Sequence, residues 1–178
     1  PGGKTAQLAA AGAQVTAVER DPVRMKRLRE NMRRWNLDAT FVEADAAAWT
    51  PPEPFDAILL DAPCSATGTI RRHPDIVWHK RARDIVGATE MQDRLLAAAA
   101  QMLKPGGRLV YAVCSLQPEE GAPRVASVPG LRIDPFLPEE VVGISEALTP
   151  EGFVRTHPGL WADRGGLDGF FVARLVRG

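Results

Sequence analysis

Residues 55–68 have the sequence FDAILLDAPCSATG, in which a nearly continuous apolar run ends abruptly at an acid, a proline and a cysteine. An apolar run of this length and composition predicts a strand that is buried on both faces, as in a parallel sheet. In open α/β sheets, ligands bind outside the carboxyl ends of the strands. The residues just after the run are therefore the first candidates for a functional site.

Strand and helix patterns alternate on both sides of this junction. The order favours a single doubly wound α/β domain, in which residues 152–156 and 169–176 complete the sheet as an antiparallel pair. The Pro-rich stretch 118–138 predicts irregular structure. The remaining predicted elements are strands at 14–19, 40–43, 55–60 and 108–113 and a helix at about 84–102, closed by Lys104-Pro105-Gly106-Gly107.

A further helix is predicted to begin at Asp21-Pro22, where the acid caps the first turn and the proline takes the first helical position. Its buried stripe is predicted from apolar residues that recur every three or four positions, namely Met25, Leu28, Met32 and Trp35. We interpret the cations off this stripe as an ordinary solvated face: Arg24, Lys26, Arg27, Arg29, Arg33 and Arg34.

Composition narrows the class of protein. The 178 residues are 45% hydrophobic and 25% charged, which is typical of a globular chain with one sizeable core. No run approaches the ~20 apolar residues of a membrane span, and the opening residues PGGKT do not resemble the apolar region of a signal peptide, so we expect a soluble, cytoplasmic protein. The formal net charge is zero, so any RNA affinity must come from local patches or another domain.

Only two cysteines and three histidines occur, without metal-ligand spacing, so we expect no metal and no disulfide framework. The chain opens on a glycine turn with no strand before it. We interpret this as an N-terminally truncated domain, 1–178, whose first strand is missing.

Five successive ends of the predicted strands carry polar or thiol groups. Gly2-Gly3 precedes a helix N-terminus that suits a carboxylate or phosphate, Glu19 can hold ribose hydroxyls, and Asp45 can meet an adenine. Cys64 and Cys114 follow the next two strands. Each feature has an ordinary alternative: a plain turn, a solvated strand end, a cap for residues 46–49, or a small buried thiol. Their coincidence at one sheet edge favours a functional site.

At this point the motifs resemble those of the Sun/Fmu-type RNA (cytosine-5) methyltransferases. The resemblance implies an α/β, Rossmann-like fold that depends on S-adenosylmethionine, with a mostly parallel sheet and a C-terminal antiparallel strand. DAPCSATG with a second Cys-Ser about fifty residues later is the specific signal. The matching segments are 1–5 (PGGKT), 61–68 (DAPCSATG), 71–75 (RRHPD) with Trp78, 111–120 (YAVCSLQPEE) and 168–171 (DGFF).

The resemblance implies a role for four residues in catalysis. Cys114 is the nucleophile that adds to carbon 6 of cytosine, and Cys64 helps to release the product. Asp61 is the partner of ring nitrogen 3, which requires that its pKa be raised. Lys4 supports the cofactor loop or the active site. Val113 and Gly121 replace the threonine and asparagine expected in the family, and neither change removes the thiol chemistry.

The same resemblance implies the cofactor, the substrate and the binding residues. The reaction is methyl transfer to carbon 5 of a cytosine in RNA, with ribosomal RNA favoured over transfer RNA and with a monomeric enzyme. The target base must leave its stack, which favours looped or single-stranded RNA. The residues implied for S-adenosylmethionine are Pro1, Gly2, Gly3, Lys4, Glu19, Arg24, Asp45, Asp61 and Pro63.

Two other functions stay open on the sequence. Gly3-Lys4-Thr5 with the ILLD of residues 58–61 is similar to parts of a P-loop ATPase, although that leaves both Cys-Ser segments unexplained. A non-catalytic RNA-binding or assembly module is the second alternative. Calorimetric titration with S-adenosylmethionine and ATP separates the three. A basic segment could hold RNA phosphates or be a solvated loop: Arg71, Arg72, His73, His79, Lys80, Arg81 and Arg83.

Overall fold

The computed structural model describes residues 1–178, which divide into two units, Pro1–Thr50 and Pro51–Gly178. The first unit contains two helices and a two-stranded parallel sheet, in which Thr16 pairs with Thr40. Its elements are α1 (Gly3–Ala10), β1 (Thr16–Glu19), α2 (Pro22–Arg34) and β2 (Thr40–Glu43).

The predicted α2 is confirmed together with most of its buried stripe. The Asp21 carboxylate accepts hydrogen bonds from the N–H groups of Val23 and Arg24, so it caps the helix as expected. Met25, Leu28 and Met32 are buried against α1 and the two strands, and the six predicted surface cations are exposed.

Trp35 is less buried than the rest of that stripe. It lies one residue beyond the helix and is 40% exposed, although its ring still lies beside Leu28 over Gly2. The chain turns at Asn36, where φ is +53°. The Arg34 guanidinium lies 5.5 Å from the centre of its ring.

The second unit contains a five-stranded mixed sheet with order β3-β4-β7-β5, while β6 also pairs with β7. Only β3 and β4 are parallel there, and β7 runs antiparallel to its three partners. The α/β fold with a C-terminal antiparallel strand is confirmed, with a sheet that is mixed rather than mostly parallel. The elements are β3 (Phe55–Asp61), α3 (Ile76–His79), α4 (Ala82–Met102), β4 (Leu103–Val113), α5 (Ala122–Val125), β5 (Leu131–Ile133), β6 (Val154–Thr156) and β7 (Phe170–Arg177).

The strands form two sheets, whereas a single sheet was expected. β1 and β2 pair only with each other, and β3 pairs only with β4.

The core of the second unit centres on β4, where Leu109 and Tyr111 are fully buried, as predicted for this strand. β3 was expected to be buried on both faces, and that expectation is wrong. Ile58 and Leu60 pack against the core, whereas Leu59 is 37% exposed. Successive side chains of a strand point to opposite faces of the sheet, and only the face of Ile58 and Leu60 is covered by the core.

The Pro-rich stretch 118–138 is more ordered than expected. It contains a 3-10 turn, the short helix α5 and strand β5, which pairs with β7. Prolines lie in the first turns of the 3-10 segment and of α5, where a missing N–H costs no hydrogen bond. None of the helices combines the length and apolar character needed to cross a membrane.

Candidate active site

The two cysteines are brought together by the pairing of β3 with β4. These strands are parallel, with Asp61 opposite Ala112, so their carboxyl ends meet at one edge of the sheet. Cys64 and Cys114 follow the two ends, and their Sγ atoms lie 3.5 Å apart without forming a disulfide. Two motifs fifty residues apart therefore form one thiol pair.

The contact between the two sulfur atoms shifts the pKa of the Cys64 thiol. The hydrogen bond with Cys114 raises the pKa of the Cys64 thiol, and burial raises it further. Two thiolates at this separation would repel each other, so one proton stays in the pair. We infer that Cys64 keeps the proton and donates it to the Cys114 sulfur. This arrangement favours a thiolate at Cys114, the predicted nucleophile.

A buried carboxylate that the sequence interpretation missed lies beside the thiol pair. Glu120 has no exposed surface and accepts four hydrogen bonds. Its partners are the Ser65 backbone N–H, the Ser65 and Ser115 hydroxyls and the Gln92 amide. The only available signal was an acid shortly after the second Cys-Ser, and such an acid is normally solvated.

Glycines hold the first cysteine loop against the second and against β7. The Gly68 N–H donates to the Cys114 carbonyl at 3.0 Å, and the Gly169 N–H donates to the Gly68 carbonyl at 2.8 Å. A Cβ on Gly68 would lie 1.9 Å from the Gly169 oxygen. The glycines of DAPCSATG and DGFF are therefore required by close backbone approach.

The second cysteine loop is also held by a cation. The Arg155 guanidinium donates to the carbonyl oxygens of Ser115 and Leu116, at 3.0 and 2.8 Å. Arg155 lies on β6, so the strand added by the C-terminal antiparallel pair contributes to the order of the loop that follows Cys114.

Asp61 and Pro63 lie on the segment between β3 and Cys64. Asp61 is the last residue of β3 and is exposed at the sheet edge. The Pro63 side chain is exposed too, and its carbonyl accepts a hydrogen bond from Gln92 at 2.9 Å. Both are thus accessible near the thiol pair, and their roles in catalysis and cofactor binding stay predictions.

In the first unit, Glu19 ends β1 with an oriented carboxylate. It accepts hydrogen bonds from the Arg24 side chain at 2.7 Å and from the Asp21 N–H at 3.1 Å. Burial raises the pKa of Glu19, but these hydrogen bonds outweigh it and hold the pKa below its ordinary value. An ionised acceptor at a strand end fits the ribose hydroxyls of a nucleoside, and Arg24 orients it.

The glycine turn precedes α1 as predicted. Gly2 has φ +105°, and a Cβ there would meet Leu28 at 2.9 Å, so glycine is required. The Pro1 carbonyl accepts a hydrogen bond from Asn31, which ties the turn to α2. Gly3 and Lys4 form the exposed first turn of α1.

Asp45 follows β2 and caps the next turn. Its carboxylate accepts a hydrogen bond from the Ala47 N–H at 2.9 Å, which confirms the ordinary alternative for this residue. A contact with adenine stays a prediction. The chain contains no group of three or more histidine, cysteine or acidic side chains that could hold a metal ion.

Two arginines of the basic segment form ion pairs with an acid near the end of the chain. Arg71 and Arg72 are engaged by Asp168, at 3.6 and 2.5 Å, and Arg71 also donates to the Gly165 carbonyl. Beyond them, Trp78 is 82% exposed. Residues of the cysteine loops and of this region together line a cavity of about 350 Å³: Ser65, Thr67, Ile70, Ile76, Val77, Lys80, Arg81, Ala82, Ile85 and Gln117.

The fold matches solved structures of α/β methyltransferases, and this class of enzyme uses S-adenosylmethionine as the methyl donor. NSun6 from Pyrococcus horikoshii, solved with SFG, aligns with 99% of this chain and 45% of its own, at 26% identity and a TM-score of 0.80. A methyltransferase homologue from the same organism aligns with 100% of this chain and 59% of its own, at 31% identity and a TM-score of 0.74.

Residues 1–176 match the family described as 16S rRNA methyltransferase RsmB/F, and the chain belongs to that family. Ribosomal RNA small subunit methyltransferase B from Vibrio cholerae serotype O1 is 53% identical over 67% of this chain and 29% of its own length. The protein of the same name from Salmonella dublin is 43% identical over 99% of this chain and 40% of its own length. The chain thus spans less than half the length of these curated relatives.

Proposed function

We propose that residues 1–178 act as the catalytic domain of an enzyme that methylates carbon 5 of a cytosine in 16S ribosomal RNA. The observation that carries the proposal is the 3.5 Å contact between the Cys64 and Cys114 sulfur atoms at the ends of two paired parallel strands. Family membership supports the cofactor and the RNA class. The P-loop alternative is abandoned, because residues 1–176 match the methyltransferase family.

Cys114 begins the reaction by adding its thiolate to carbon 6 of the cytosine. Carbon 5 is a poor nucleophile in the free base, and the addition converts the ring to an enamine. Asp61, exposed at the end of β3, holds a proton at ring nitrogen 3 while charge develops there. The residues proposed for S-adenosylmethionine include Glu19, whose ionised carboxylate suits ribose hydroxyls. When bound, the cofactor supplies an electrophilic methyl group.

Cys64 acts after the methyl transfer, when the proton on carbon 5 must leave before Cys114 can be eliminated. In the free protein its pKa is raised chiefly by the neighbouring Cys114 sulfur. Once that sulfur is bonded to carbon 6, it no longer accepts the hydrogen bond or carries charge. The pKa of Cys64 then falls, so its thiol can release its proton to solvent and the resulting thiolate can take the proton from carbon 5.

Cysteine variants test the proposal in the protein expressed from its whole reading frame. Cys114→Ala is expected to abolish methylation of 16S rRNA, whereas Cys64→Ala is expected to accumulate a covalent protein–RNA adduct that survives denaturing electrophoresis. The double variant Cys64→Ala/Cys114→Ala is the control and should form no adduct. A fully active Cys114→Ala protein would refute the assignment.

The remaining alternative is a non-catalytic RNA-binding module. Calorimetry distinguishes it, because a methyltransferase binds S-adenosylmethionine and a module without a cofactor site does not. Bisulfite mapping of ribosomal and transfer RNA, from cells with and without the gene, identifies the modified cytosine. The exposed Trp78 and the neighbouring basic segment are proposed as RNA contacts. A monomeric state and a cytoplasmic location stay predictions.

A further inference from the structure

We propose that Glu120 is a positioning residue, whose buried carboxylate ties together the two loops that carry Cys64 and Cys114. This inference deepens the proposed function and rests on it, since it assigns the device that sets the spacing of the two sulfur atoms. Glu120 lies shortly after the second cysteine, and its carboxylate accepts hydrogen bonds from Ser65, Ser115 and Gln92. It acts through the residues that follow the cysteines.

The two loops meet at one oxygen atom. Ser65 follows Cys64, Ser115 follows Cys114, and both hydroxyls donate to Oε2 of Glu120. The distance from Ser65 Oγ is 2.5 Å, and the two hydroxyl oxygens are 2.9 Å apart. Because each serine is the next residue after a cysteine, any movement of one loop away from Glu120 moves a sulfur atom by a comparable amount.

Oε1 of Glu120 connects the first cysteine loop to helix α4. Oε1 accepts hydrogen bonds from the Ser65 N–H at 2.8 Å and from the Gln92 amide at 3.0 Å. Gln92 lies on α4, is fully buried, and also donates to the Pro63 carbonyl. The Tyr111 hydroxyl donates to the Glu120 carbonyl at 2.9 Å, which anchors the acid to β4. Glu120 is therefore held by helix and strand while it holds the loops.

The two acceptor oxygens of the Glu120 carboxylate matter as well as the shape of the side chain. All four partners of the carboxylate are donors, so it must accept at both oxygens. Glutamine has nearly the same shape but offers one acceptor and one donor. In Glu120→Gln, the amide that keeps the Ser65 N–H and Gln92 contacts turns its –NH2 group toward the two serine hydroxyls, which must then reverse and accept. The two charge-assisted contacts at the junction become weaker neutral ones, so the loops are held less tightly although the side chain still fills its space.

Glu120→Gln is the test, and Glu119→Gln is the matched control, because Glu119 is the adjacent residue and is exposed. Alkylation by iodoacetamide, resolved by mass spectrometry, measures the ratio of modification at Cys114 to that at Cys64. The wild type and the control are expected to show strong preference for Cys114, since the Cys114 contact raises the pKa of Cys64. In Glu120→Gln the sulfurs separate, the pKa of Cys64 falls, and the preference is expected to drop severalfold.

Methylation provides the second readout. Misplacement of a reacting group by about 1 Å lowers a rate by about 10²-fold, so kcat should fall to that degree while KM for S-adenosylmethionine stays unchanged. The alkylation ratio needs no methylation, so it tests the inference even if the proposed function fails. If Glu120→Gln does not fold, Ser115→Ala removes one of the two junction contacts and should show the same loss of preference. An alkylation ratio equal to that of Glu119→Gln in a folded variant would overturn the proposal.

Discussion

Replacement of Gly68 by alanine tests the claim that backbone approach orders the cysteine loops. The added Cβ would lie 1.9 Å from the Gly169 oxygen, about 1.5 Å short of ordinary contact, and both groups belong to the backbone. The backbone segments around Gly68 and Gly169 must separate. This breaks the hydrogen bond from the Gly169 N–H to the Gly68 carbonyl and weakens the one from the Gly68 N–H to the Cys114 carbonyl. Two hydrogen bonds at about 1 kcal/mol each and overpacking at about 1–3 kcal/mol predict a loss of about 3–5 kcal/mol.

The measurement is urea denaturation of the wild type and Gly68→Ala, with the free energy of unfolding extrapolated to water. Gly87→Ala is the matched control, since Gly87 lies on α4 and a Cβ there meets nothing within 4 Å. Alanine is the better helix former, so the control should gain up to about 1 kcal/mol. A Gly68→Ala protein within about 0.5 kcal/mol of the wild type would show that this contact does not hold the loops, because changes of that size are ordinary for surface sites.

Three further perturbations have defined outcomes. Burial raises the pKa of Tyr111, the only tyrosine, so unfolding should release its proton above pH ~10 and the free energy of unfolding should fall by ~1.4 kcal/mol per pH unit from this group. Tyr111→Phe should lose that part of the slope, and phenolate absorbance that rises before unfolding would contradict the prediction. Arg24→Ala should weaken S-adenosylmethionine binding severalfold in calorimetry, because Arg24 orients Glu19, whereas the exposed Arg27→Ala should not. Trp78→Ala should raise KM for RNA by about 5- to 150-fold, the range for loss of one stacked base, with KM for the cofactor unchanged; the same effect in Trp35→Ala would show that the change is not specific to this surface.

Local patterns predicted the elements whose partners are close in the chain. The stripe of Met25, Leu28 and Met32 follows the helical period, and the Asp21 cap acts on the next two or three residues, so neither depends on distant structure. Trp35 continued the period but lies beyond the helix, because the turn at Asn36 ends it there. Periodicity alone does not mark that end.

Predictions that depended on strand partners were less successful. The composition of β3 indicated burial on both faces, but burial is decided by the elements that cover each face, and only the face of Ile58 and Leu60 packs against the core. β5 was missed because three residues have too little pattern, and its pairing with β7 supplies the order.

By itself the sequence determined which strand ends carry reactive groups and, through DAPCSATG and the second Cys-Ser, the family whose chemistry they resemble. The tertiary structure alone decided the difference between Glu119 and Glu120, two identical neighbours of which one is exposed and the other has no exposed surface. It also decided that sulfur atoms fifty residues apart lie 3.5 Å from each other. The physical reason is that burial and side-chain contact depend on strand pairing and on packing between distant segments, and no local pattern of residue types encodes either one.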